Sequence, residues 1–143
     1  MPRGGLTITR VDLRRMQQIA RDLPDALDDA LNATAHEALA EIVLSFGSGP
    51  AGRTYTHEGV SHVASSPGHP PNVDTGALSG GMWTDKVGEL EYVIADDTDY
   101  GVYLELGTER MAARPFVTPV IEQMRQGEFG RMMRRYLEDT GVW

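Results

Sequence analysis

DYGVYLELGTERMAARPFVTP, residues Asp99 to Pro119, is the stretch on which the fold turns. It sets Tyr100 and Tyr103 ahead of a Glu-Leu-Gly-Thr run and closes on Arg-Pro-Phe. Read alone, it fits an active-site loop, a ligand clamp or a connector. Its surroundings favour the connector. Thr118 is a good N-cap and Pro119 suits a first helical turn, so a helix begins where the stretch ends. Upstream, MWTDKV and ELEYVIADD flank Gly88 and predict an antiparallel hairpin. Leu90, Tyr92 and Ile94 share one face of it, Val93 and Ala95 the other, and Asp96, Asp97 and Asp99 close the strand. The stretch therefore joins a sheet to the last helix. Gly107 permits a left-handed turn. Phe116 anchors the helix to the core. Tyr100 and Tyr103 offer apolar rings with polar tips, a type favoured at interfaces. Arg114 is a bidentate donor with Glu105 or Glu109 as partners, within one chain or between subunits.

The last helix takes Ile121, Met124, Met132/Met133, Tyr136 and Leu137 as apolar positions. Gly127 and Gly130 weaken its middle, each by about 1 kcal/mol against alanine. At the other end, Leu6–Thr9 is a short β-like run. From Val11, the residues Leu13, Met16, Ile19/Ala20 and Leu23 follow helical spacing. Pro24 interrupts that pattern, and a second helix is expected from there with Asp22 as its cap. Leu27, Leu31, Ala35, Leu39/Ala38, Ile42 and Phe46 form its core-facing stripe.

Gly47 to Gly52 ends this helix. Its spacing matches G-x-G-x-x-G, but a helix rather than a strand precedes it, and Pro50 removes an amide that a phosphate would want. It reads as helix stop and linker. Thr54-Tyr55-Thr56 and Val60-Ser61-His62-Val63, separated by His57-Glu58-Gly59, fit a small hairpin. SSPGHPPNVD reads as extended, because residues before proline avoid the helical region. Residues 49–73 as a whole are expected to be an extended loop or arm, suited to reaching a neighbouring subunit.

Chain length, 143 residues, points to one domain, 1–143. No cysteine is present, so disulfides and thiolate chemistry are excluded. No apolar run approaches the roughly 18 residues of a membrane span, and the N-terminus lacks the apolar core of a secretory signal. A net charge of -8 argues against gripping DNA through its phosphates. Lys86 is the sole lysine among 13 basic residues, which reads as codon bias of a GC-rich genome. Charge is uneven: residues 1–21 hold five arginines, and Asp22 to Glu41 hold six acids and no Lys or Arg. The two runs are either solvated helix faces or complementary surfaces of neighbouring copies.

Chemistry-bearing motifs are sparse. His36-Glu37 starts like a zinc-protease helix, but Ala40 stands where H-E-x-x-H needs histidine. His57, His62 and His69 share one segment at spacings that fit no standard metal site. Asp96-Asp97-Thr98-Asp99 lacks the glycine and distal glutamate of a calcium loop. No G-x-S-x-G elbow is present.

Three segments, taken in order, do carry a signal: SPGHPPNVDTGALSGGM, DYGVYLELGT and MAARPFVTPVIEQM. Following an amphipathic helix and placed around a hairpin, they make the chain, over roughly residues 10–137, resemble the small head–tail joining or tail-completion proteins of long-tailed bacteriophages. The matching positions are Asp74, Thr75, Gly76 and Leu78; Tyr100, Tyr103, Glu105, Gly107 and Thr108; and Arg114, Pro115 and Phe116. Gly80-Gly81 departs from the pattern, where a bulkier strand start is usual, and so does the hairpin-like insertion at 53–64. Physical reasoning runs alongside: Asp74 or Thr75 can cap the turn begun by Gly76-Ala77-Leu78, and Leu78 can plug the sheet.

The expectation is an α+β domain with two N-terminal helices, a small mainly antiparallel sheet with a long loop insertion, and a C-terminal helix. The resemblance implies a structural virion protein, without catalysis, cofactor, metal or membrane, made in the host cytoplasm. Copies would form a ring of six, or of twelve, at the neck. A head connector or head-closure protein would lie on one side and a tail terminator or tail tube protein on the other. DNA would pass through the lumen without specific binding. The alternatives are a tail-terminator ring and, from another class, a small metal-dependent hydrolase or nuclease using His57, His62 or His69 with the Asp96–Asp99 acids.

Overall fold

Ala26, Ala30, Thr34, Ala38 and Ile42 recur every fourth residue and are all buried. That spacing places them on one face of a single helix, α1 (Leu13–Ser45). A computed structural model of the chain describes residues 13–142. The run Leu6–Thr9, Arg3 and Arg10 lie outside the described residues, as do the side chains of Leu13, Arg15 and Met16. At 33 residues, α1 spans roughly 50 Å. The expected break at Pro24 is absent: the helix runs through it, so there is one N-terminal helix rather than two and Asp22 caps nothing. Proline withdraws one hydrogen bond from the ladder, and the turns on both sides hold the rest.

The buried line differs in detail from the expected stripe. Its centre runs through alanines, while Leu27, Leu31 and Leu39 flank it half-buried. Small residues at the centre let other elements approach the helix axis closely.

After a turn at Gly47 (φ 77), the chain enters hairpin β1 (Ala51–His57) and β2 (Val60–Ser65). His57 pairs with Val60, and the two loop residues Glu58 and Gly59 both have positive φ, 49 and 83. That is the turn whose twist suits a two-residue loop. So the stretch expected as an extended arm is a hairpin over 51–65, followed by irregular chain. This irregular part is pinned: the Gly47 N–H donates to Pro71 O (3.0 Å) and the Gly68 N–H to Ala113 O (2.9 Å). Ser65 and Pro71 are buried.

A one-turn helix, α2 (Ala77–Gly81), leads into β3 (Met82–Gly88) and β4 (Glu91–Asp96), the second hairpin. The two hairpins do not pair with each other, so the expected sheet is two separate two-stranded antiparallel sheets. Leu90 lies in the turn at φ 51 instead of sharing a face with Tyr92 and Ile94. The Gly80-Gly81 departure has a steric reason at Gly81, where a Cβ would stand 2.8 Å from the Thr98 methyl.

The Asp99–Pro119 connector contains α3 (Gly101–Leu106) and delivers α4 (Thr118–Gln123). A π turn at Met124–Glu128 follows, then α5 (Phe129–Asp139). Gly127, at φ 118 and ψ -5, is not helical, so the expected last helix is two segments with a break at the glycine. α1 is the common support. β3, β4, α4 and α5 all pack on it, and Ala38, Ile42, Met82, Phe116 and Val120 form the core. Phe116 is 2% exposed and meets Phe46 edge-on, with ring centroids 5.4 Å apart. Met132, fully buried, docks α5 on α1. These elements make an α+β fold built on one long helix.

Candidate functional site

Glu105 is the hinge pin of the connector. Its Oε2 accepts the N–H groups of Phe116 (2.8 Å) and Val117 (3.0 Å), and its Oε1 accepts the N–H (2.8 Å) and hydroxyl (2.5 Å) of Thr118. Those N–H groups are the orphan donors at the start of α4. The expected Glu105–Arg114 pair does not form, because the carboxylate is already saturated by the helix end. Thr118 is not the N-cap either: it is the first helical residue, and Val117 precedes it without a side-chain cap. Burial pushes the Glu105 carboxyl up, but the backbone and hydroxyl donors outweigh it and hold it below the usual carboxylate value.

Arg114 is turned elsewhere. Its Nε donates to Ser65 O (3.2 Å) and its N–H to Leu104 O (2.7 Å), tying the connector to the end of β2 and to α3. No carboxylate pairs with it among the described residues, so Glu109 is not its partner either. Gly107, at φ 75, passes so close to the returning chain that a Cβ would lie 2.8 Å from Ala113 N and Met111 O. Thr108 and Met111 close that loop through mutual backbone hydrogen bonds of 2.8 and 3.3 Å.

Beside this junction lies an open groove of about 510 Å³. Asp74, Thr75, Gly76 and Leu78 line one wall, and Tyr100, Leu104, Met111 and Arg114 another. Tyr55, His62 and Ala64 of the first hairpin and Phe46 after α1 complete it. The N-cap of α2 is Gly76, without a side-chain cap; Thr75 Oγ1 accepts the Ala77 N–H (3.3 Å) in a local turn just before it, and Asp74 faces His62, with Oδ1 3.5 Å from Nδ1. Leu78 packs half-buried against the core. Six of the twelve motif residues thus meet at one groove. Glu105, Gly107, Thr108, Pro115 and Phe116 build the frame behind it, and Tyr103 projects outward from α3 beside exposed Val102 and Leu106. Phe46, Tyr55, His62, Leu104 and Met111 were not singled out as groove residues from the sequence. A strand-forming Tyr and His in a Gly-rich segment carry no local mark of what they will face.

Two of the acids that the hydrolase alternative would use, Asp96 and Asp97, bond within the chain. Asp96 accepts the Thr98 N–H (3.0 Å) and hydroxyl (2.7 Å), and Asp97 accepts Trp83 Nε1–H (2.7 Å). Among the described residues no three His, Asp or Glu side chains converge as metal ligands. Among the described residues no helix is long and apolar enough to cross a membrane.

Part of the acidic run on α1 is also paired within the chain. Asp28 Oδ2 accepts Lys86 Nζ (2.7 Å) and Tyr92 OH (3.4 Å). Glu37 accepts Tyr136 OH (2.5 Å) and a bond from Arg135. The Tyr136 and Arg135 bonds hold the Glu37 carboxyl below its usual value. Burial, with Glu37 and Glu128 nearby, pushes Glu41 up. Asp28 and Glu37 are therefore spent on packing β3–β4 and α5 against α1. No family model, curated protein or solved structure matches the chain.

Proposed function

We propose that the chain is a structural virion protein that forms a ring at the neck of a long-tailed phage. The ring completes the joint between head connector and tail and leaves a channel for DNA. One observation carries this reading. Asp74-Thr75-Gly76-x-Leu78, Tyr100 and Arg114, whose order along the chain resembles the head–tail joining proteins, come together at a single open groove. The groove surface is mostly apolar, with aromatic and aliphatic side chains set among polar ones such as His62, Asn72, Asp74 and Arg114, a mixture that protein contact surfaces share. Outward apolar residues on α3, including Leu106 at 73% exposure, add a second contact surface. A net charge of -8 suits a channel wall, since like charge keeps DNA from adhering.

Electron microscopy of the purified protein, negatively stained, tests the reading: closed rings with a central channel are expected. A hydrolysis panel with added divalent metal is the counter-test. Turnover abolished by chelation, from a protein that forms no rings, would replace this reading with the hydrolase one.

A further inference from the structure

The β1–β2 hairpin leaves much uncovered. Every residue of β1 is exposed, and Val60 at the turn is 67% exposed. A two-stranded hairpin is marginal in water without a partner surface. Its tip carries an acid, Glu58, whose carboxylate makes no ion pair among the described residues. The groove at the base of the same hairpin presents the opposite sign, Arg114, half-buried and without a carboxylate. Asp74, the acid of that groove, lies beside His62, with Oδ1 3.5 Å from Nδ1. A tip cannot fold back into its own groove, because Tyr55, His62 and Ala64 of its own strands form one wall.

We propose that the hairpin tip of one copy seats in the groove of the next, Glu58 against Arg114 and Val60 among the apolar side chains. The occupant is a second copy because both complementary halves stand on the same chain. The contact is head-to-tail, the kind that closes into a ring when the rotation allows. It rests on the ring reading above and adds the surfaces that make the ring.

The chain has no cysteine, so engineered thiols report without background. A V60C chain is mixed with a V73C chain, Val73 being an exposed residue of the groove. Under mild oxidation, V60C–V73C heterodimers are expected to exceed V60C–V60C homodimers about tenfold. Adding E58R to the V60C chain should cut heterodimer yield roughly fivefold, the upper end for a partly exposed pair. Adding R114E to the V73C chain should restore it. Should R114E fail to fold, E58R alone decides, since its site is exposed and contributes nothing to the core. Equal yields in all combinations, indifference to E58R, or no heterodimer at millimolar protein would overturn the proposal. Rings seen by microscopy without these crosslinks would sink the docking mode and leave the ring intact; crosslinks without rings would support the docking mode and count against the neck reading.

Discussion

Replacing Glu105 by alanine tests the connector most directly. The carboxylate accepts four bonds, three of them from backbone N–H groups at the start of α4. Losing an N-cap side chain costs about 0.5–2 kcal/mol. A hydrogen bond to a charged acceptor contributes about 1.5–3 kcal/mol. Glu105 is half-buried, so water replaces part of what is lost, and the expected net is about 2–3 kcal/mol. For a chain of this size, 1 kcal/mol moves Tm by roughly 3–4 °C, so E105A should melt about 6–12 °C lower. The pH dependence has a definite sign. The folded carboxyl is depressed, so its contribution is full above the unfolded value, about 4.3, and fades as pH falls through the folded value. The gap between wild type and E105Q, which cannot ionise, should therefore be large at pH 7 and shrink below pH 4. Circular dichroism melts across pH 3–7 measure both. A Tm change under about 2 °C at pH 7, or a gap that does not depend on pH, would refute the capping account.

Phe116→Ala should cost about 3–5 kcal/mol, since the ring is buried against Phe46 and Ile42 at the core's centre; a denaturant melt with an unchanged midpoint would count against this packing. Pro24→Ala should stabilise by about 1–3 kcal/mol, because it restores a backbone donor inside an exposed turn of α1. Loss of stability there would mean the chain needs a break at that residue. Duplex DNA should bind weakly at physiological salt, since a net charge of -8 supplies few phosphate contacts. Submicromolar, salt-sensitive binding in a filter or anisotropy assay would replace the passive channel with a gate that holds DNA.

Local signals in the chain placed the second half of α1, both hairpins and the start of α4, but not α2, α3 or the break at Gly127. The four-residue apolar repeat of 27–46, the strand pairs around 58–59 and 88–90, and the proline opening the last helix all act between residues close in sequence. Their periods and turn residues are legible without knowing what they touch. The same locality misled at Pro24, where a breaker reads as a boundary; the turns on both sides outweigh one missing bond. It misled again at the buried line of α1, where leucines look like the core but alanines sit at its centre. Which face of a helix goes deepest depends on how closely β3, β4 and α5 approach, and that is a property of the whole packing. Glu105 and Arg114 are the sharpest case. Nine residues apart and opposite in charge, they read as a pair. The fold gives Glu105 to the N–H groups at the start of α4 and Arg114 to Ser65 O, because a partly buried helix start and a buried strand end take these partners first. The groove likewise exists only in three dimensions. Its walls come from segments up to about 70 residues apart, and no periodicity along the chain records which surfaces will face each other.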